Sequence, residues 1–391
     1  MTNTVDEYLL MNTLGAEWIR NDFSWSKLEP EQGLWDFSFY DRFMDNAEQY
    51  NKKVLILLVY DTPWIHTDEE KGRYLSEEKL PLFLNYVKTI AERYGDRAAG
   101  FEIWNEPNTP LFWEGSDDEF FELTRRTAAL LKEILPDKPV AVGSIFYHPL
   151  MSGKQYLRKM IDHGVLENAD ALSLHPYGLS LTKSAERVAD ADMLLKKSGY
   201  DLDLWITEIG FTTSGWYPNQ TSVQGQAEKV IQAITELSAA GADIICWFKL
   251  LDGQMPVDIV PGISSEEFFG LAYPDYSLKP SGFSFRLMAT HLHETEFDNS
   301  PIVLRGLTPH SLKIYRYKGV ENEIKLVCFS NVKEMKVHVS GFLGEVSVLN
   351  LLTGETNIIR GMEPFNTDKA PLLISGVLKS EDSVIEVQKI D

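Results

Sequence analysis

Residues 99–106 read AGFEIWNE, and the reading of this stretch decides the fold. It is mostly apolar without strict alternation, the pattern of a strand covered on both faces in a parallel sheet. It ends in Asn105-Glu106, and Pro107 follows. A strand needs no acid at its tip, so a carboxylate there asks for a chemical reason.

Runs of the same kind recur outward from it, at Ala16–Phe23, Lys53–Tyr60, Val140–Phe146, Ala171–Tyr177, Leu204–Phe211 and Ile244–Leu251. Amphipathic stretches between them predict helices at Tyr40–Tyr50, Lys79–Tyr94, Asp118–Leu135, Gly153–His163, Thr182–Ser198 and Ser222–Ala240. In the last of these, apolar residues recur at three and four and Gly241 supplies a stop. Val5–Leu14 and Pro280–His293 flank the series as two further helices, the second with proline near its start. Alternating strands and helices predict a parallel barrel or a doubly wound sheet. Eight helices with six crossovers favour an α/β fold of the (β/α)8 TIM barrel type. Strand starts lie about 38 residues apart, so one step back from Ala16 falls before residue 1, and the first barrel strand is not found in the chain.

Past about residue 295 the texture changes to short alternating runs such as LKIYRYKG, IKLVCFSN and MKVHVSG, broken by Gly and Asn. These predict an antiparallel β-sandwich over residues 295–391, beside a barrel over residues 1–294. Tyr315, Tyr317 and Phe329 alternate as strand residues facing a core or an interface.

The 391 residues are 44% hydrophobic and 12% aromatic, enough for a sizeable core, and 37 basic against 58 acidic residues leave a net charge of −21. That charge argues against nucleic acid and against anionic membranes as partners. No run of about 18 apolar residues predicts a membrane span. The opening MTNTVDEYLL lacks the basic and then apolar pattern of a signal peptide, so the sequence as numbered predicts a cytoplasmic protein, or a secreted one whose leader was removed. Cys246 and Cys328 sit in apolar runs and are expected to be buried free thiols. The histidines are scattered, and no metal site is expected.

In a barrel the active site lies where the C-terminal strand ends converge. Those ends carry Arg20 and Asp22, then Asn105 and Glu106, then His175 and Tyr177, then Glu208, then Trp247 and Lys249. Glu106 and Glu208 lie 102 residues apart, close to three βα units of about 34, so they approach one centre from different sides. Two facing carboxyl groups can cleave a glycosidic bond, one protonating the leaving oxygen and the other attacking or activating water. Trp25, Trp64, Trp113, Trp216 and Trp247 fall at or just after strand ends and are expected as platforms for sugar rings, whereas Trp18, Trp35, Trp104 and Trp205 are expected in the core. Arg20 could instead pair with Asp22, and Lys249 could meet substrate or pair with Asp252. His175 and Tyr177 have a plainer reading as satisfied interior polar groups.

At these residues the sequence resembles clan A of the retaining glycoside hydrolases, and family 39 within it, with family 5 next. FEIWNEPN and LWITEIGF match the two glutamate motifs, LSLHPYG the His-x-Tyr strand, and CWFKLLD the last strand. The resemblance implies Glu106 as acid/base and Glu208 as nucleophile. It also implies Asn105 on the sugar 2-hydroxyl, Arg20, His175 and Tyr177 orienting the nucleophile, and Trp247 under the sugar. It implies an oligo- or polysaccharide or glycoside substrate and no cofactor. The chain departs from the pattern in lacking the first strand and in carrying Tyr60-Asp61 where family 5 has a histidine. Two other readings remain open, a catalytically silent carbohydrate-binding protein on the same scaffold and a C-terminal module that is itself the carbohydrate binder.

Overall fold

The computed structural model describes residues 3–66, 73–148, 152–178, 180–214, 220–253, 265–309, 311–330, 335–360, 363–367, 370–380 and 382–390. The chain forms two compact units, Met1–Gly210 with Ala240–Phe248, and Phe211–Ala239 with Lys249–Asp391.

The first unit opens with α1 (Val5–Leu14), β1 (Trp18–Ser24), the short α2 (Trp25–Leu28) and α3 (Ser38–Gln49). It continues through β2 (Lys53–Val59), α4 (Leu80–Tyr94), β3 (Gly100–Ile103), α5 (Asp117–Ile134) and β4 (Val140–Phe146). It closes with α6 (Gly153–Asp162), β5 (Ala171–His175), α7 (Leu181–Lys197), β6 (Asp203–Ile209) and β7 (Ile244–Trp247). The local sequence sets these bounds. Thr4 and Glu7 form a capping box at the start of α1, and Gly15 ends it at φ 72°. Ser116 and Glu119 form a second box at the start of α5.

The seven strands pair in chain order and every pair is parallel. The sheet curls, so that its edge strands β1 and β7 come within 8 Å between Cα atoms. Among the described residues no ladder joins those edges and no eighth strand is present. The architecture is thus of the TIM-barrel type with seven strands. Strand β3 ends at Ile103, short of the expected Glu106, because Trp104 turns into the left-handed region at φ 63°.

Side chains facing the inside of the sheet form layers, as the two-residue period of strands requires. Leu55, Ala141, Ala171 and Trp205 make an apolar floor, with Trp18 and Ile244 packed against it. Two residues further along β1, β3, β5, β6 and β7 come Arg20, Glu102, Ser173, Thr207 and Cys246. The floor is apolar and the next layer polar, so the sheet itself carries chemistry toward its C-terminal end.

The second unit holds α8 (Val223–Ala239), α9 (Pro280–Leu292) and ten strands. These are β8 (Glu296–Phe297), β9 (Ile302–Arg305), β10 (Leu312–Lys318), β11 (Glu323–Ser330) and β12 (Met335–Ser340). After them come β13 (Glu345–Asn350), β14 (Thr356–Arg360), β15 (Phe365–Thr367), β16 (Leu372–Val377) and β17 (Ile385–Ile390). They form a six-stranded sheet, β14-β13-β16-β11-β10-β8, and a four-stranded sheet, β15-β12-β17-β9. The pairing is antiparallel except between β17 and β9, which is parallel, a departure from the all-antiparallel expectation. Strand β11 shows how the sandwich is built. Ile324, Leu326 and Cys328 face a core shared with Val337 and Val339 of the smaller sheet. Val327 and Phe329 face the other way, onto Ile231 of α8 and Met288 of α9. Tyr317 belongs to that second core, and Tyr315 packs against it. Both cysteines are free, Cys328 buried and Cys246 half-buried.

Candidate active site

Chain geometry at the tip of β3 is unusual. Trp104 and Glu106 hold φ of 63° and 43°, and Ser144 in β4 holds 44°. Side chains with a Cβ rarely adopt this region, and each such residue costs about 1–3 kcal/mol unless its surroundings enforce it. Here they do. The Trp104 amide donates to the Leu58 carbonyl at 3.1 Å, and the Glu106 amide donates to the Ser144 carbonyl at 3.0 Å. The Thr109 amide and hydroxyl both donate to the Glu106 carbonyl at 3.0 Å. The turn thereby aims the Glu106 side chain inward.

One oxygen of Glu106, one of Glu208 and one nitrogen of His175 lie within 4.8 Å of one another. The two glutamates are nearly enclosed, their side chains 12% and 17% exposed. Each has its own partners. Glu208 Oε1 accepts from the Tyr177 hydroxyl at 2.8 Å, and its Oε2 accepts from Arg20 at 3.3 Å. Glu106 Oε1 lies 2.8 Å from His175 Nδ1. His175 therefore sits on Glu106, which corrects the expectation that it orients Glu208. Tyr177 and Arg20 do reach Glu208.

The polar layer beneath explains how Arg20 is held. Its Nε donates to Glu102 at 2.5 Å, and its third nitrogen donates to Asn105 Oδ1 at 2.9 Å and Ser144 Oγ at 3.4 Å. The partner of Arg20 is thus Glu102, not Asp22. Burial opposes the charge on Arg20, but Glu102 and then Glu208 outweigh it and hold the guanidinium above its ordinary pKa. Burial likewise opposes the charge on Glu102. Arg20 overcomes this, with help from His175 and the Ser173 hydroxyl, and keeps the carboxyl below the usual range. Glu102 is fully buried, and removing one partner of such a pair costs about 3–5 kcal/mol because it strands the other charge.

The same layer reaches His175. Ser173 and Thr207 lie 2.5 and 2.8 Å from Glu102 Oε1 and 2.6 Å from each other, so the three share a hydroxyl network. His175 Nε2 lies 3.0 Å from Thr207 Oγ1 and 3.3 Å from Ser144 Oγ, and its Nδ1 lies 2.8 Å from Glu106 Oε1. His175 thus links the polar layer to Glu106.

Burial pushes the Glu208 carboxyl above the usual carboxylate range, and the nearby Glu106 adds to this. His175, Arg20 and the Tyr177 hydrogen bond pull it back down. Burial and then Glu208 hold the Tyr177 hydroxyl well above its ordinary pKa, so it donates and does not ionise. A nucleophilic Glu208 must be ionised, so activity should fall as pH drops through its raised pKa. Tyr177→Phe removes a bond that favours the ionised form. We expect the acid limb of kcat/KM to move to higher pH in that variant, with a loss of about 10- to 100-fold at the optimum, as for one hydrogen bond to a charged group. An unmoved limb would show that Glu208 is not the group titrating there.

The aromatic platforms need sorting. Trp247 ends β7 beside Ile209 of β6, half-buried. Trp25 is fully buried, its indole donating to Glu29 at 2.7 Å and its ring between Trp64, Phe83 and Tyr86, so it is a core residue and no platform. Trp64 is half-buried and donates to the Glu29 carbonyl at 2.7 Å. Trp113 is 4% exposed, edge-on to Trp104 and Phe120, and contributes to the wall of a cleft of about 480 Å³ with Pro107, Gln155 and Tyr156. Trp216 lies outside the described residues. Lys249 belongs to the second unit, 3.9 Å from Glu267, and the partner of Asp252 is Lys279 at 3.1 Å. Of the residues expected in the core, Trp104 and Trp205 are buried, and Trp18 and Trp35 half-buried.

Sequence reading missed Glu102, Ser144, Ser173 and Thr207. The available signal was Glu102 itself, an acid inside an apolar strand at a position whose side chain points inward, as Glu106 does four residues later.

Residues 2–62 match the family model of glycoside hydrolase family 42, described as beta-galactosidase. A beta-xylosidase of Caldicellulosiruptor saccharolyticus is 26% identical over 208 residues, 48% of this chain and 41% of the relative. The matched region thus spans less than half of that relative's length. A family 39 glycoside hydrolase from Bacteroides cellulosilyticus WH2 superposes with a TM-score of 0.79 at 18% identity, covering 95% of this chain and 77% of the other. The family 39 enzyme from Xanthomonas axonopodis pv. citri gives 0.64 at 15%, covering 96% and 92%. The likeness to clan A, and to family 39 within it, is therefore present in the fold.

Proposed function

We propose that this chain is a retaining glycoside hydrolase acting on a glycoside or an oligo- or polysaccharide. One observation carries the reading. Oxygens of Glu106 and Glu208 come within 4.8 Å of one another, while their partners differ. Retaining enzymes hold their two carboxyl groups about 5–5.5 Å apart, whereas inverting enzymes need about 6.5–9.5 Å to admit a water.

Roles follow from the partners. Glu208 faces a cation and a phenol hydroxyl, both of which favour its ionised form, so it attacks the anomeric carbon. Glu106 meets His175 Nδ1 at 2.8 Å and neither Arg20 nor Tyr177, so it is the acid that protonates the departing oxygen as the glycosidic bond breaks. A water then gives its proton back to Glu106 and attacks the anomeric carbon, which frees Glu208. Arg20 and Tyr177 hold the Glu208 carboxylate. Asn105 accepts from Arg20, which leaves its amide nitrogen to donate to a sugar hydroxyl. Trp247 is read as the floor beneath the sugar, and Trp64 and Trp113 as outer walls. The net charge of −21 keeps nucleic acid outside the reading. Residues 1–294 are read as the catalytic part and residues 295–391 as an accessory part.

The test is covalent trapping. A 2-fluoro glycoside with an activated leaving group should label the chain once, and peptide mapping should find the label on Glu208. Binding without labelling would favour a silent carbohydrate-binding protein.

A further inference from the structure

The side chains of strand β1 point alternately to its two faces. Ile19 and Phe23 are buried, Phe23 against Tyr40, Phe43 and Tyr94. Trp18, Arg20 and Asp22 share the opposite face. Trp18 packs against the apolar floor, and Arg20 reaches Glu102, Glu208 and Asn105. Asp22 therefore stands one step above Arg20, about 6.6 Å further toward the mouth of the sheet.

No side chain of a described residue hydrogen-bonds or ion-pairs with the Asp22 carboxylate, and solvent reaches it. Burial holds its carboxyl above the usual range, and Arg20 pulls the other way. The nearest described cations are engaged elsewhere or stand apart. Arg20 serves Glu102 and Glu208, Arg73 stacks 4.5 Å over the Tyr60 ring, and Lys27 is exposed and makes no ion pair with Asp22. An acceptor with two oxygens and no partner among the described residues, on the strand face that also carries Arg20, suits donors that arrive with the substrate.

Resting on the glycosidase reading, we propose that Asp22 is a specificity-determining residue that accepts hydrogen bonds from neighbouring hydroxyls of a neutral sugar and turns away sugars bearing a carboxylate. A carboxylate can only accept, and two adjacent sugar hydroxyls offer it two donors. An anionic sugar would place a further negative charge among Asp22, Glu106 and Glu208 in a partly desolvated cleft, where like charges repel most. The substrate class that follows is a neutral pentose or hexose glycoside with free vicinal hydroxyls, and uronic acid glycosides are excluded.

Calorimetry with the Glu208→Gln chain tests this without turnover. The probes are methyl β-glucoside against methyl β-glucuronide, and methyl β-galactoside against methyl β-galacturonide. We expect a neutral sugar to bind at least tenfold more tightly than its acid counterpart, and Asp22→Asn in the same background to reduce that preference at least tenfold. Asp22→Ser, with an unchanged unfolding temperature, should do the same. An unaltered preference, tighter binding of the acid sugar, or no binding of any probe would overturn the proposal. A parallel hydrolysis screen of the unaltered chain separates the two claims. Neutral-sugar binding that depends on Asp22, without hydrolysis of any glycoside, would leave Asp22 its role and remove the enzyme. Hydrolysis with a preference for uronides would keep the enzyme and remove the role of Asp22.

Discussion

Glu208→Ala is expected to lower kcat by about 10⁵-fold on any accepted glycoside, a barrier increase of roughly 7 kcal/mol. The reason is positional. Arg20 and Tyr177 converge on this one carboxylate, and among the described residues no second carboxylate has both partners. Folding should survive, because Arg20 keeps its bond to Glu102. The cavity left by the side chain can admit a small anion. Azide should therefore restore part of the rate and yield a glycosyl azide of the opposite anomeric configuration to the substrate. A Glu208→Ala chain with ordinary turnover would remove the nucleophile from the account.

Glu106→Ala should behave differently, and the difference identifies the acid. Loss of general acid catalysis costs about 10²–10⁴-fold, and the cost grows with the basicity of the leaving group. Sugar and alkyl leaving groups should show losses near the top of that range. Dinitrophenyl glycosides need no proton, and their first step should slow by less than about tenfold. Azide should now act in the second step and give a glycosyl azide with the configuration of the substrate. Equal losses for all leaving groups would contradict the assignment of Glu106. His175 enters the same experiment, since its Nδ1 lies 2.8 Å from Glu106 Oε1.

The contrast between Glu106 and Glu102 shows what the sequence could and could not carry. Both lie in one strand region and both point inward, yet only Glu106 was read as functional. Its place at a strand end, before Pro107, marks it against the hydrophobic run. Glu102 lies within that run, where sequence offers no hint that Arg20, Ser173 and Thr207 from three other strands converge on it. Strand order was legible because apolar runs and amphipathic stretches alternate, while the angle at which a side chain leaves a loop was not. Trp25 and Trp113 follow strand ends as Trp247 does, yet both turn into aromatic packing. The swap of His175 from Glu208 to Glu106 has the same origin. Residue order places His175 among both glutamates, and only the folded geometry, with Thr207 and Ser144 at Nε2 and Glu106 at Nδ1, shows which one the ring meets. The short strands β8, β9, β14 and β15 were missed because runs of two to five residues carry almost no periodic signal.

The most direct test is the configuration of the sugar at the moment of release, followed by proton NMR during hydrolysis of an activated glycoside. Two carboxylates as close as Glu106 and Glu208 predict a first-formed hemiacetal with the anomeric configuration of the substrate, mutarotating only afterwards. A first product of the opposite configuration would mean that water attacks directly, and the double displacement derived from this pair would be wrong.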